Sequence, residues 1–149
     1  MFNITFDCDP SQKAPNQKSI LEILEKVLSI NKIKSAEISY IFGDDQLLLE
    51  LKNKFFKKNH FTDVIAFRLN NYEESIVEGE VYISLPRAKE NAKLFNQPYK
   101  KEVARLIIHG CLHLIGYLDS TNKEKHKMTK LENSILKEVN WLKLFNENE

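Results

Sequence analysis

Residues 109–119 read HGCLHLIGYLD, and the interpretation of the rest of the chain starts from these eleven residues. Residues four positions apart lie about one turn apart on one face of a helix, so His109 and His113 can present two imidazoles to one cation. The apolar residues between and around them recur at helical spacing, which predicts a buried helix. Gly116 suits a left-handed helix end, and the reversal that it permits would bring Asp119 back under the histidines.

These side chains make an H-x3-H-x5-D pattern, which is typical of a metal site rather than of two ordinary buried histidines. Two imidazoles and one carboxylate form a known catalytic zinc set. His126 is the competing third ligand, but it lies seven residues further on in a lysine-rich helical stretch, where solvent exposure is the simpler interpretation, and spacing favours Asp119. We expect one Zn²⁺ per chain, and an oxygen ligand would also admit manganese, nickel or iron.

The same spacing occurs in zinc peptidases, which place a glutamate general base directly after the first histidine. This chain has Gly110 there. A glycine inside a helix costs about 1 kcal/mol relative to alanine, so Gly110 predicts close packing or room beside the metal. A metzincin-like metallopeptidase is therefore a less favoured interpretation. A purely structural zinc site is also weaker, because such sites fill all four positions with protein ligands.

Four stretches resemble the YbeY family, the bacterial single-domain endoribonucleases linked to ribosomal RNA maturation. They are HGCLHLIGY at 109–117, FTDVIAF at 61–67, GEVYIS at 79–84 and EVAR at 102–105. They follow the family's order and spacing over most of the chain between about residues 44 and 120. Most of the family carries a histidine at the position of Asp119, so the chain resembles a branch with aspartate as third ligand.

The resemblance implies a zinc-dependent hydrolase that cuts phosphodiester bonds in RNA, with a preference for single strands. It implies a role in 3′-end maturation of small-subunit ribosomal RNA and in ribosome quality control. The partners would be a ribosomal RNA precursor, the small ribosomal subunit and its assembly proteins. The competing hypothesis from another class is a non-catalytic ribosome-assembly factor that uses the metal only as a structural brace.

The candidate catalytic residues are Arg105, His109 and His113. Arg105 lies one turn before His109 on the same helix face. Arg105 is the better candidate for a catalytic arginine because Phe56 stands where the family usually carries an arginine thought to act in the cleft. An ion pair between Arg105 and a nearby carboxylate explains its position equally well.

Candidate RNA contacts lie near the end of the second predicted helix and at the start of the next strand. The basic residues there fit either a solvated helix face, with cations near the negative helix end, or a phosphate-binding patch. The resemblance slightly favours the patch, with Lys57 and Lys58 as contacts. Thr62 and Asp63 open a strand, and their family counterparts line the cleft, so we also count them as substrate-binding candidates beside a purely structural role.

The composition predicts one globular domain over residues 1–149. The formal charge is +1, from 22 basic and 21 acidic residues, so RNA contacts would need a local patch. Cys8 and Cys111 make no disulfide framework, and the chain shows neither a secretion signal nor a stretch long enough to span a membrane. We expect a cytoplasmic monomer without membrane contact.

Hydrophobic periodicity predicts an α+β fold with a four-stranded mixed sheet, mostly parallel with one antiparallel strand, and about five helices that include a zincin-like metal helix. The first two strands should pair in parallel across a helix, and the last two should be antiparallel because their loop is short. We expect residues 146–149 to fray. The predicted strands are 2–6, 38–42, 64–69 and 77–85, and the predicted helices are 16–31, 46–58, 86–95, one after Pro98, and one from 123 towards 143.

Overall fold

A mixed four-stranded sheet organises the chain in the computed structural model, which describes residues 1–145. The order across the sheet is β1-β2-β4-β3; β2 pairs in parallel with both β1 and β4, whereas β3 is antiparallel to β4. The predicted α+β fold with one antiparallel strand is confirmed. The expected fraying of 146–149 lies outside the described residues. The strands are β1 (Phe2–Cys8), β2 (Ser35–Gly43), β3 (Val64–Arg68) and β4 (Ile76–Ser84).

Within the part of the chain that the structure describes, five α-helices pack with this sheet, and most of them begin where a side chain caps the backbone. Asn16, Asp44, Ser84 and Thr121 each accept a hydrogen bond from a backbone N–H in the first helical turn. None of the helices within residues 1–145 is long and apolar enough to cross a membrane. The helices are α1 (Gln17–Ile30), α2 (Asp45–Phe56), α3 (Leu85–Leu94), α4 (Tyr99–Ile115) and α5 (Asn122–Leu136), followed by a 3-10 helix (Trp141–Leu144).

The prediction of a last helix running towards Lys143 is wrong. Helix α5 ends at Leu136, and the chain then turns so that Leu144 is fully buried. The carbonyl of Leu144 accepts a hydrogen bond from the Asn16 backbone N–H at 2.7 Å, and the carbonyl of Lys143 accepts one from the Ser19 hydroxyl at 3.0 Å. These contacts with the start of α1 provide an alternative to further helix turns.

Helix α4 occupies the middle of the core, packed against α1, α3, α5 and the sheet. Gly110 lies where this helix meets β4. A Cβ atom built on Gly110 would lie 2.5 Å from Cγ1 of Val81, which is closer than real side chains approach. The close packing predicted for Gly110 is therefore present, and it also leaves no space for a glutamate side chain in this direction.

We expect Gly110→Ala to lower the free energy of unfolding by up to roughly 2 kcal/mol, because overpacking costs about 1–3 kcal/mol and the gain in helix propensity returns about 1 kcal/mol. Chemical denaturation of the metal-free protein measures this change. Adding Val81→Ala should recover part of the loss, since it removes the methyl that clashes. A Gly110→Ala variant that is more stable than the wild type would contradict the close packing, because only the helix-propensity gain would then remain.

Candidate metal centre

The candidate metal centre forms where helix α4 ends and the chain reverses. Gly116 ends the helix with a φ of 125°, and its N–H donates to the carbonyl oxygens of Leu112 and His113. Glycine adopts this backbone conformation without the strain that other residues would carry. The reversal brings Asp119 to the histidines, as the sequence predicts.

Three ligand atoms converge at this turn. Nε2 of His113 lies 3.0 Å from Nε2 of His109 and 3.2 Å from Oδ2 of Asp119, and the remaining His109–Asp119 distance is 3.4 Å. Ligand atoms around a tetrahedral zinc ion lie about 3.3 Å apart, because each is about 2.0–2.1 Å from the metal. The three residues therefore fit one cation, and they are the only such group among residues 1–145. His126 is exposed on α5 and does not join them.

Behind His109 lies a buried carboxylate that sequence reasoning missed. Nδ1 of His109 makes a 2.6 Å hydrogen bond with Oε2 of Glu132 on α5. When Nδ1 carries the proton and donates it to this carboxylate, Nε2 keeps its lone pair for the cluster. One signal was available in the sequence, because Glu132 interrupts the apolar stripe that Met128, Ile135 and Leu136 form on α5.

Arg105 holds this carboxylate in place. Its guanidinium donates to Oε1 of Glu132 at 2.9 Å and to the side-chain oxygen of Asn133 at 2.6 Å. The ion pair, one of the two interpretations of Arg105 given by the sequence, is present in the structure. Direct contact between Arg105 and a substrate stays a prediction.

The surroundings shift the pKa values of the two histidines in opposite directions. Burial lowers the pKa of His109, but the hydrogen bond and charge of Glu132, together with the charges of Asp119 and Asp63, outweigh burial and raise the pKa above its ordinary value. Burial and the charge of His109 lower the pKa of His113. The centre therefore favours the protonated, positively charged form of His109. A metal cation would compete with this additional proton for the imidazole.

Two more carboxyl groups line a cavity of about 640 Å³ beside His109. Asn91 donates a 2.9 Å hydrogen bond to Oδ2 of Asp63. Burial raises the pKa of Asp63. Burial, followed by the charge of Asp63, raises the pKa of Glu102 to about 7. The pair therefore places a carboxyl group that can hold a proton near neutral pH next to the centre.

A cleft of about 470 Å³ opens over the three candidate ligands. Thr62 and Asp63 line this cleft, as the family resemblance implies, together with Lys52 and Phe56 of α2. Lys57 and Lys58 are exposed beyond the end of α2 and are not part of its lining. The structure thus brings two of the four predicted substrate contacts to the centre.

We expect Glu102→Gln to stabilise the metal-free protein at pH 8 by roughly 1–3 kcal/mol. Between the ordinary glutamate pKa of 4.5 and the value of about 7 in the folded chain, the folded state keeps a proton that the unfolded chain has lost, so stability falls as pH rises. The gain should therefore vanish below about pH 4.5. Denaturation at a series of pH values measures it, with Glu25→Gln on the exposed face of α1 as control. A gain that is independent of pH would contradict the raised pKa.

We expect Glu132→Gln to weaken metal binding about 10- to 100-fold, because the amide is a poorer acceptor for the His109 N–H. Competition with a coloured chelator measures the affinity, and Glu138→Gln, at an exposed ion pair with Lys26, is the control.

Arg105→Met separates the two interpretations of Arg105. Weaker metal binding would show that it acts through Glu132, whereas unchanged metal binding with lost cleavage would show contact with the substrate.

A family model described as Endoribonuclease YbeY matches residues 5–140. Curated relatives with the same description include a protein of Karelsulcia muelleri, 43% identical over 67% of this chain and 70% of its own length. Another, from Cytophaga hutchinsonii, is 34% identical over 88% of this chain and 91% of its own length.

A protein of Thermotoga maritima with a structure determined in solution shares the fold. It has 28% sequence identity and a TM-score of 0.61, and the match covers 91% of this chain and 88% of that protein. The match of the family model and of the relatives extends well beyond the histidine stretch, across the sheet and the helices that position the candidate ligands. The chain therefore belongs to the Endoribonuclease YbeY family, which confirms the resemblance seen in its four sequence motifs.

Proposed function

We propose that the chain is a metal-dependent endoribonuclease, a hydrolase that cuts phosphodiester bonds in RNA. The observation that carries the proposal is the convergence of His109, His113 and Asp119 on one point at the base of an open cleft. Membership of a family whose relatives are described as endoribonucleases supports the reaction class. We propose one Zn²⁺ per chain, since two imidazoles and one carboxylate suit zinc and leave a position for water or substrate.

The metal, when bound, would supply a Lewis acid that polarises the phosphodiester and acidifies water. The protein's part is to hold His109 and His113 with Nε2 directed at the centre, and the Glu132 hydrogen bond fixes the first of them. Asp119 adds a negative charge, so this centre is less positive than one with three imidazoles. Glu102 can hold or accept a proton at neutral pH in the adjoining cavity.

Substrate binding in this proposal uses the cleft and its basic margin. Thr62 and Asp63 would contact RNA inside the cleft, and Lys57 and Lys58 would attract phosphates from outside it. The substrate would be a ribosomal RNA precursor at the 3′ end of the small-subunit RNA, with the small subunit and its assembly proteins as partners. A monomer working in the cytoplasm, with a role in ribosome quality control, completes the proposal.

The metallopeptidase interpretation loses support from the packing of Gly110. The glutamate that such enzymes use would replace Gly110, where an added Cβ would lie 2.5 Å from Cγ1 of Val81. The chain therefore lacks both the general base and the space for it. The non-catalytic assembly factor is the alternative that an experiment has to separate.

The test is metal content and cleavage of an RNA with single-stranded and duplex segments, measured on the wild type beside His113→Ala and Asp119→Ala. The wild type should carry about one equivalent of metal and cut the single-stranded segments, and both variants should lose metal and cleavage together. His126→Ala, outside the cluster, is the matched control and should keep both.

Two results would contradict this expectation. Equal cleavage by variants that have lost their metal would show that a contaminating nuclease cuts the RNA. Binding of metal and of small ribosomal subunits by a wild type that cuts no RNA would support the assembly factor instead.

A further inference from the structure

Phe56 presents an exposed aromatic ring to the polar cleft that contains the candidate metal ligands. The residue is 43% exposed, and it lines the same cleft as His109, His113 and Asp119. The family resemblance implies an arginine at this position. Ligand sites combine aromatic side chains in their lining with a few placed polar groups, so a ring in this position can contact a ligand that the polar groups also suit.

Other aromatic rings hold Phe56 in place. Its ring stacks on that of Phe67, with centroids 5.8 Å apart and planes 19° apart. Phe67 in turn meets Tyr82 edge-on at 5.8 Å, and Phe55 meets Phe67 edge-on at 5.4 Å. A ring fixed in this way loses little conformational entropy when a ligand stacks on it.

One cation lies over the ring, and further lysines follow on the same end of α2. The Lys52 ammonium lies 4.9 Å from the centroid of Phe56 and lines the same cleft. Lys54, Lys57 and Lys58 are exposed along the same end of α2. Proteins that bind single-stranded nucleic acids combine these two features, an aromatic ring for a base and cations for the adjoining phosphates.

We propose that Phe56 stacks on an unpaired base of the RNA next to the phosphate at the metal centre, while Lys52 pairs with a flanking phosphate. The inference rests on the proposed function and adds a reason for single-strand selectivity. A base inside a duplex already has stacked neighbours on both faces, whereas an unpaired base can offer a free face to an aromatic ring. Phe56 is then a specificity-determining residue of the cleft.

The chain offers a matched pair of variants for the test. Phe55 is the adjacent residue, is also exposed and also packs on Phe67, but it does not line the cleft. Phe56→Leu and Phe55→Leu therefore remove the same kind of ring from the same neighbour, and only the first alters the cleft. Phe56→Trp keeps a stacking surface and should restore binding.

The measurement is the dissociation constant of the metal-loaded protein for a labelled single-stranded RNA, read as fluorescence anisotropy after rapid mixing and before cleavage. Phe56→Leu should raise this constant about 5-fold or more, the range found when a stacking ring is removed. Phe55→Leu should change it less than about 2-fold. Binding of a duplex of the same sequence should be equal for wild type and Phe56→Leu. An abasic substitution at the stacked position should weaken binding by the wild type and add nothing to Phe56→Leu.

Equal losses for Phe55→Leu and Phe56→Leu would overturn the inference, because both would then act through Phe67. Equal losses for single-stranded and duplex RNA would also overturn it, since stacking on an unpaired base predicts a difference. If the wild type cuts RNA but Phe56→Leu binds it normally, the inference fails and the proposed function stands. If the wild type neither binds nor cuts RNA, the proposed function itself fails.

Discussion

The hydrogen bond between His109 and Glu132 is the interaction on which the candidate site depends. Helix α4 is buried among other helices and the sheet, and an imidazole in such surroundings is costly unless its nitrogens have partners. Glu132 supplies the partner for Nδ1, and Arg105 supplies the countercharge that makes a buried carboxylate tolerable. The same contacts leave Nε2 of His109 directed at the cluster. They therefore both stabilise the packing of α4 on α5 and orient the imidazole of His109 as a candidate metal ligand.

The site concentrates acidic groups in a chain whose formal charge is only +1. Asp63, Glu102 and Asp119 share a cavity with His109, and the raised pKa of two of these carboxyl groups shows that their charged forms are disfavoured there. A bound cation would lower this cost, so metal binding should also stabilise the fold. The basic end of α2 lies outside this acidic region, where it can attract an anionic chain towards the cleft.

Local sequence patterns were sufficient wherever the relevant groups lie within a few turns of one another. The two histidines share a helix face, Gly116 ends that helix, and Asp119 follows directly in the turn, so the convergence of these three candidate ligands could be predicted without knowing what packs around them. The failure at the last helix has the opposite cause. Helix α5 ends at Leu136, and the chain beyond it contacts the start of α1 through Leu144. Those two segments are far apart in the sequence.

Periodicity, capping and a glycine turn act over short distances along the chain, so the amino-acid sequence was sufficient to predict the mixed sheet, the buried helix and the three candidate metal ligands. The folded chain was needed to see that Glu132 supports His109, that Arg105 holds Glu132, and that Phe56 lines the cleft with Lys52. These relations depend on how α2 and α5 pack around α4. That packing depends on the combined shape of many apolar side chains, so it cannot be predicted from any single stretch of sequence.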